Sequence, residues 1–253
     1  LAGDNRRELV EQYMDIKANY QDCILFFRLG DFYEMFFDDA KTASRELELT
    51  LTGKQCGMEE RAPMCGVPFH SADTYIARLV DRGYKVAICE QTEDPAAVKG
   101  IVKREVVQIV TPGTVVSSSM LKEKENNYIA SVYADDNSVG LSYCDVSTGE
   151  ICLTEIKGIG IKENLLNELV KIDAREIILN NDTYDAVDAE DMKPVTEAYF
   201  NILGEEYYTP SVIRDTIKRQ FNITALLGIG IEEGSASESA LGSLLMYLLE
   251  TQK

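Results

Sequence analysis

The segment Leu25–Phe37, LFFRLGDFYEMFF, constrains the fold more than any other part of the chain, because it sets five phenylalanines and a tyrosine around two carboxylates. Rings in that number need a large core to cover them. Cys23–Leu29 reads as a buried strand, and Gly30 supplies the backbone freedom for a tight turn beside it. If Phe32–Phe36 is extended, successive side chains alternate faces. Phe32, Glu34 and Phe36 then point one way, and Tyr33, Met35 and Phe37 the other. Two readings stay open on spacing alone. The run is a core strand with one carboxylate at its rim, or its face offers a flat ring beside a hydrogen-bonding acid. The second arrangement suits a site that stacks on something planar, such as a nucleobase, and reads its polar edge.

Whether such rings can be covered depends on chain size. A length of 253 residues allows one large or two ordinary domains, each with its own core. A hydrophobic content of 45% with 27% charged residues is that of a soluble globular protein. No apolar run approaches the roughly 20 residues that span a bilayer, and the start, LAGDNRRELVEQ, lacks the apolar centre of a secretory signal. A cytoplasmic protein without membrane contacts is expected. The six cysteines, Cys23, Cys56, Cys65, Cys89, Cys144 and Cys152, form no CxxC pair and read as reduced core thiols. Cys65 and His70 have metal-like spacing but no second ligand pair, so no metal site is expected.

Charge argues against nucleic acid. The net value is −18. Residues 1–115 carry 14 basic and 19 acidic side chains, a net −5, and the remainder carries 11 and 24, a net −13. A protein that binds DNA chiefly by counterion release shows a basic excess. The first half is the less acidic one, and Arg28, Lys54, Arg61, Lys99, Lys103 and Arg104 are candidates for a local basic patch.

Along the chain, helical spacing in residues 7–20 and good helix formers in Asp38–Leu49 flank the aromatic run. A helix follows through Tyr75, Ile76, Leu79 and Val80, with Ser71 or Asp73 as its cap and Gly83 as its end. Lys85–Glu90 is a short buried strand, Asp94-Pro95 opens a brief helical turn, and Val102–Val110 is a longer strand. Helices and strands interleave, the mark of a mixed α/β layer fold. Pro112–Asn127 is turn-rich, then charged, and reads as a boundary. Beyond it, Tyr128–Tyr133, Val139–Val146 and Ile151–Ile156 form an antiparallel meander. A helix near Lys162–Ile172, strands at Glu176–Leu179 and Val195–Tyr199, and helices near Ser211–Gln220 and Glu238–Thr251 complete the order of a ribonuclease-H-like fold.

The block GDFYEMF at Gly30–Phe36 is followed by FDDAK, by Ala62–His70 (APMCGVPFH), by Ala87–Asp94 (AICEQTED) and by Val110–Thr114 (VTPGT). In order and spacing these blocks, over roughly residues 10–115, resemble the N-terminal part of the MutS family of bacterial DNA mismatch-repair proteins. Asp145–Glu150 (DVSTGE) and Ala240–Lys253 (ALGSLLMYLLETQK) look like the start and end of that family's connector domain. The resemblance implies the first two domains of a longer protein. These are a mixed-sheet mismatch-recognition domain over 1–115, a linker over 116–127 and a ribonuclease-H-like connector over 128–253.

It further implies that Phe32 is an aromatic wedge driven into mispaired or unpaired DNA and that Glu34 hydrogen-bonds the base. Arg28, Met64, Pro68, Phe69, His70, Lys103 and Arg104 become candidate DNA neighbours. The clamp and ATPase domains would lie elsewhere in the longer protein, together with its ATP, its Mg²⁺ and its homodimer contacts. A MutL-type partner would dock on the connector, and the protein would work at the nucleoid. No cofactor and no catalysis are expected of these residues, since Gly53-Lys54 and Gly158-x-Gly160 match no complete phosphate-binding loop. Two rivals are an interaction module whose aromatics are only core, and a metal-dependent nuclease with Asp145 as first ligand. Against the nuclease, Asp145 opens a turn-forming Asp-Val-Ser-Thr-Gly and no suitably spaced acidic cluster follows it.

Overall fold

A computed structural model describes residues 4–55, 61–93, 100–115 and 127–252. The described residues form two compact units that divide between Pro112 and Gly113. Gly113–Val115 packs with the second unit. The Gly113 N–H donates to Glu176 Oε2 at 3.0 Å, and the Asn127 side chain donates to the carbonyls of Gly113 and Val115. The rest of the linker, residues 116–126, lies outside the described residues, as do Cys56, Lys99 and the turn at Asp94-Pro95.

In the first unit the elements are α1 (Asp4–Lys17), β1 (Cys23–Leu29), β2 (Phe32–Phe36), α2 (Phe37–Leu47), β3 (Thr52–Lys54), β4 (Ala62–Pro68), α3 (Ala72–Val80), β5 (Lys85–Gln91) and β6 (Arg104–Val110). The six strands make one sheet in the order β3-β4-β2-β1-β5-β6, parallel only where β1 meets β5. Leu29 pairs with Phe32, so β1 and β2 join through a two-residue loop whose first residue, Gly30, has φ +57°. That position favours glycine because any Cβ is strained there.

The sheet is covered on both faces. On one side α1 lays Leu9, Val10 and Tyr13 over Leu25, Phe27 and Phe36. On the other, Cys65, which pairs with Met35, bonds through its Sγ to the Ala40 carbonyl of α2. Buried Asp39 ties these layers together, accepting from Tyr13 Oη at 2.7 Å, Lys17 Nζ at 2.8 Å and the Leu25 N–H at 3.0 Å. Burial and the adjacent Asp39 charge hold the Tyr13 phenol above its usual range.

Several expected boundaries move for local reasons. The first helix begins at Asp4 and stops at Lys17, whose ammonium donates to the carbonyls of Gln21 and Cys23. Ser71 stands at the N-cap position of α3, but its hydroxyl bonds back to the Pro68 carbonyl, and Asp73 falls inside the first turn. The strand expected from Val102 begins at Arg104, since the Val102 carbonyl is taken by the Gln12 and Arg104 side chains.

The second unit runs β7 (Tyr128–Ala134), β8 (Ser138–Asp145), β9 (Glu150–Lys157), α4 (Ile161–Ile172), β10 (Glu176–Leu179), α5 (Asn181–Ala186), α6 (Ala189–Thr196), β11 (Tyr199–Ile202), α7 (Pro210–Phe221) and α8 (Ala236–Thr251). Its sheet has the order β11-β10-β7-β8-β9, with β10 and β11 parallel to β7 and the meander antiparallel. That arrangement is ribonuclease-H-like. Central β7 is buried on both faces: Ile129 joins the cluster under α7 and α8, while Ala130 and Val132 join the one under α4 and α6. Gly140 lets α8 start hard against β8, because a Cβ there would lie 2.1 Å from the Ala236 carbonyl oxygen.

The strand expected at Val195–Tyr199 is corrected. Residues 189–196 form α6, whose Ala189, Met192 and Thr196 are buried at helical spacing while Val195 is exposed, and the strand begins at Tyr199. Burial period overrides the β preference of Val195-Thr196. Of the thiols, Cys23, Cys65, Cys89 and Cys144 are buried, and burial pushes them up to about 12, 11, 12 and 12 respectively; Cys152 on edge strand β9 is only partly covered.

Candidate nucleic-acid interface

The face of β2 that carries Phe32, Glu34 and Phe36 runs from solvent to core within five residues. Phe36 is fully buried, its ring edge-on to Tyr13 at 5.0 Å between centroids. Glu34 is half-buried opposite Phe27, and Phe32 is 46% exposed opposite Leu29 and Pro68. The cover supplied by α1 therefore reaches Phe36 and stops short of Phe32. A phenylalanine left this exposed at the end of an otherwise covered strand has no packing reason to be there.

Glu34 is not alone. Lys54, at the end of edge strand β3, places Nζ 2.5 Å from Glu34 Oε2 and 5.6 Å from the Phe36 ring centre. On the opposite face of the sheet, the Arg28 guanidinium stacks 3.8 Å over the Phe69 ring and lies 5.6 Å from Tyr33. Arg28 also pairs with Glu90 at 3.4 Å and donates to the Gly30 carbonyl at 2.6 Å. Tyr33 donates to the same Glu90, and burial followed by that carboxylate raises its phenol above the usual range. The Phe69 N–H donates to the Asp31 carbonyl at 2.9 Å, which fixes the loop before Phe32. Phe32, Pro68, Phe69 and His70 thus gather at one end of the sheet, with Phe69 42% exposed and His70 exposed beside it.

Three candidate neighbours are placed elsewhere. Met64 pairs with Phe36 and packs against the core under α1, at the covered end of the strand. Arg104 is buried, its guanidinium donating to the carbonyls of Arg28 and Val102 and to Gln12 Oε1 while lying 4.9 Å from the Phe27 ring centre. Desolvation holds it below the ordinary guanidinium range, and its Nε and Nη1 donors are spent on the fold. Lys103 is exposed but lies just before β6, three strands away from β2, and pairs with Glu105 at 2.6 Å. Of the candidates for a basic patch, Arg28, Lys54 and Lys103 each face a carboxylate. Nothing in the sequence near Arg28 or Tyr33 announces Glu90, because that contact spans more than fifty residues; only its place in a short apolar strand was readable.

In the second unit Asp145 Oδ1 accepts from the Ser147 N–H at 2.8 Å and its hydroxyl at 2.6 Å, so the carboxylate closes the β8–β9 turn. Among the described residues no group of three His, Cys, Asp or Glu side chains is placed to hold a metal, and no helix is long and apolar enough to cross a membrane.

A mixed-sheet domain with an exposed ring and a half-buried carboxylate near its tip, followed by a ribonuclease-H-like domain, defines a two-domain α/β module. The family models that match are those of MutS domain I, over residues 7–119, and MutS domain II, over residues 127–253. The chain belongs to the MutS family. It is 52% identical over 246 residues to the DNA mismatch repair protein MutS of Ruminiclostridium cellulolyticum and 47% identical over 249 residues to that of Alkaliphilus oremlandii. It is 49% identical over 248 residues to that of Acetivibrio thermocellus. Each alignment covers 97% of this chain and 28% of the relative. The chain thus spans little more than a quarter of the length of these relatives.

Proposed function

We propose that this chain is the mismatch-reading and connector portion of a longer MutS-type protein, and that it recognises mispaired or unpaired bases in duplex DNA through Phe32 and Glu34. The observation that carries the reading is the exposed Phe32 ring with Glu34 on the same face, on a strand whose next residue on that face is core. A mispaired step is mechanically weak and costs less to unstack and kink. A ring entering from the minor groove holds that kink by stacking, worth about 1–3 kcal/mol per base. The Glu34 carboxyl hydrogen-bonds the exposed base edge. Pro68, Phe69 and His70 border the path of the wedge, with Arg28 holding the Phe69 ring from behind.

In this reading the chain itself is not an enzyme. ATP and Mg²⁺ belong to other domains of the longer protein, which acts as a homodimer in the cytoplasm at the nucleoid. The ribonuclease-H-like domain links wedge to clamp and offers its acidic surface to a MutL-type partner. The test places residues 1–253 in the frame of a full-length relative and titrates mismatched and matched duplex. Phe32→Ala is expected to bring the two affinities together while the fold persists. A variant that keeps its mismatch preference sinks the wedge.

A further inference from the structure

The Lys54–Glu34 pair lies on the face of the sheet that carries Phe32, and its construction is specific. Cross-strand pairing puts Lys54, Ala62, Met64, Gly66, Glu34 and Phe36 on one face of the sheet. Lys54 is in register with Ala62, whereas Glu34 is in register with Gly66 four residues further along β4. The lysine therefore reaches diagonally across β4. Gly66 has no side chain in that lane; a Cβ there would touch Glu34 Cγ at 3.5 Å and crowd the Tyr33 carbonyl oxygen at 3.1 Å. The two charged side chains are only 26% and 18% exposed, so each is shielded from water on most of its surface.

A carboxylate beside a wedge is an electrostatic liability, because DNA is a polyanion and the approach of Glu34 strips its water. Resting on the reading of Phe32 and Glu34 given above, we propose that Lys54 is a positioning residue and built-in counter-charge for Glu34. It holds the carboxylate along the sheet face behind Phe32 and cancels its charge, so that the tip meets the duplex neutral. Lys54 then acts on DNA affinity through Glu34 and not through a phosphate of its own. Each side chain keeps an edge in water, which leaves the carboxyl room to turn toward a base edge when one is open.

The test is a double-mutant cycle in the full-length frame carrying this segment, with affinity for mismatched duplex read against salt. Lys54→Met is expected to weaken binding about tenfold when Glu34 is present and by less than about threefold in the Glu34→Gln background, where no charge is left to cancel. Lys54→Arg keeps the cation and is expected to stay within about threefold of the parent. Equal losses in both Glu34 backgrounds, with the salt slope reduced by about one, mean a direct phosphate contact and overturn the proposal. So does a Lys54→Met protein that binds like its parent. Should Lys54→Met fail to fold, Lys54→Gln in the same two backgrounds makes the same comparison. If Phe32→Ala leaves mismatch preference intact, the wedge reading itself fails first, and the two failures are told apart by which variant is silent.

Discussion

Phe32 and Phe36 sit four residues apart on one face of one strand, yet one is 46% exposed and the other fully buried. The difference assigns them opposite roles, and stability measurements separate them. Phe36→Ala opens a cavity beneath Tyr13 and is expected to cost about 3–5 kcal/mol. Phe32→Ala leaves no cavity and is expected to stay within about 0.5 kcal/mol of the parent in urea unfolding. Equal losses would make Phe32 a core residue and remove it from the interface. At this scale the sequence supplied the alternation of faces, because period 2 is local. It could not supply which ring α1 covers, nor that Arg104 spends its donors on backbone carbonyls while Lys103 faces Glu105. Those outcomes depend on contacts far apart in the chain.

Elements with a clean apolar signal were legible from spacing, such as Cys23–Leu29, Glu176–Leu179 and the meander of β7 to β9. Val195-Thr196 misled because β-branched residues were read as strand where helical burial of Met192 and Thr196 decides. Strands β3 and β4, which bring Lys54 and Gly66 to the site, were not separated as strands: β3 spans only three residues, and β4 carries Pro63, Gly66 and Pro68, residues depleted in strands. What holds the layers in place was equally invisible: Asp39 reads as an ordinary first-turn acid of α2 but is buried between α1 and β1. Asp39→Ala would take the carboxylate acceptor from the Leu25 N–H, the Tyr13 hydroxyl and the Lys17 ammonium. The hydroxyl keeps only a long contact to the Phe36 carbonyl, and the ammonium keeps the Gln21 and Cys23 carbonyls. Removing one member of such a buried network costs about 3 kcal/mol or more. The expected result is a lower urea midpoint for the first unit, with the exposed end of β2 shifted as α1 loosens. A loss below about 1 kcal/mol would mean that apolar packing alone seats α1.

At the scale of the whole molecule, charge and proposed function pull in opposite directions. The net −18 is carried mostly beyond residue 115, and within the first unit Arg28 and Lys54 near the tip, like Lys103 beside β6, each face a carboxylate. Release of condensed counterions, the main source of non-specific DNA affinity, therefore has little to act on here. The wedge offers about 1–3 kcal/mol of stacking per base. Against it stand the unstacking of a base step, a few kcal/mol, and the lost rigid-body freedom of association, about 4–15 kcal/mol. The balance is unfavourable for this chain by itself. Residues 1–253 alone are expected to bind even a mismatched duplex with a dissociation constant above about 1 μM at physiological salt, measured by fluorescence anisotropy. In the full-length frame, where further domains share the cost of association, affinity is expected to rise by orders of magnitude, and Phe32 decides which duplex benefits. Submicromolar binding by the 253-residue chain alone would mean that the tip holds DNA by contacts beyond one ring and one paired carboxylate, and that the wedge accounts for a minor part of the affinity.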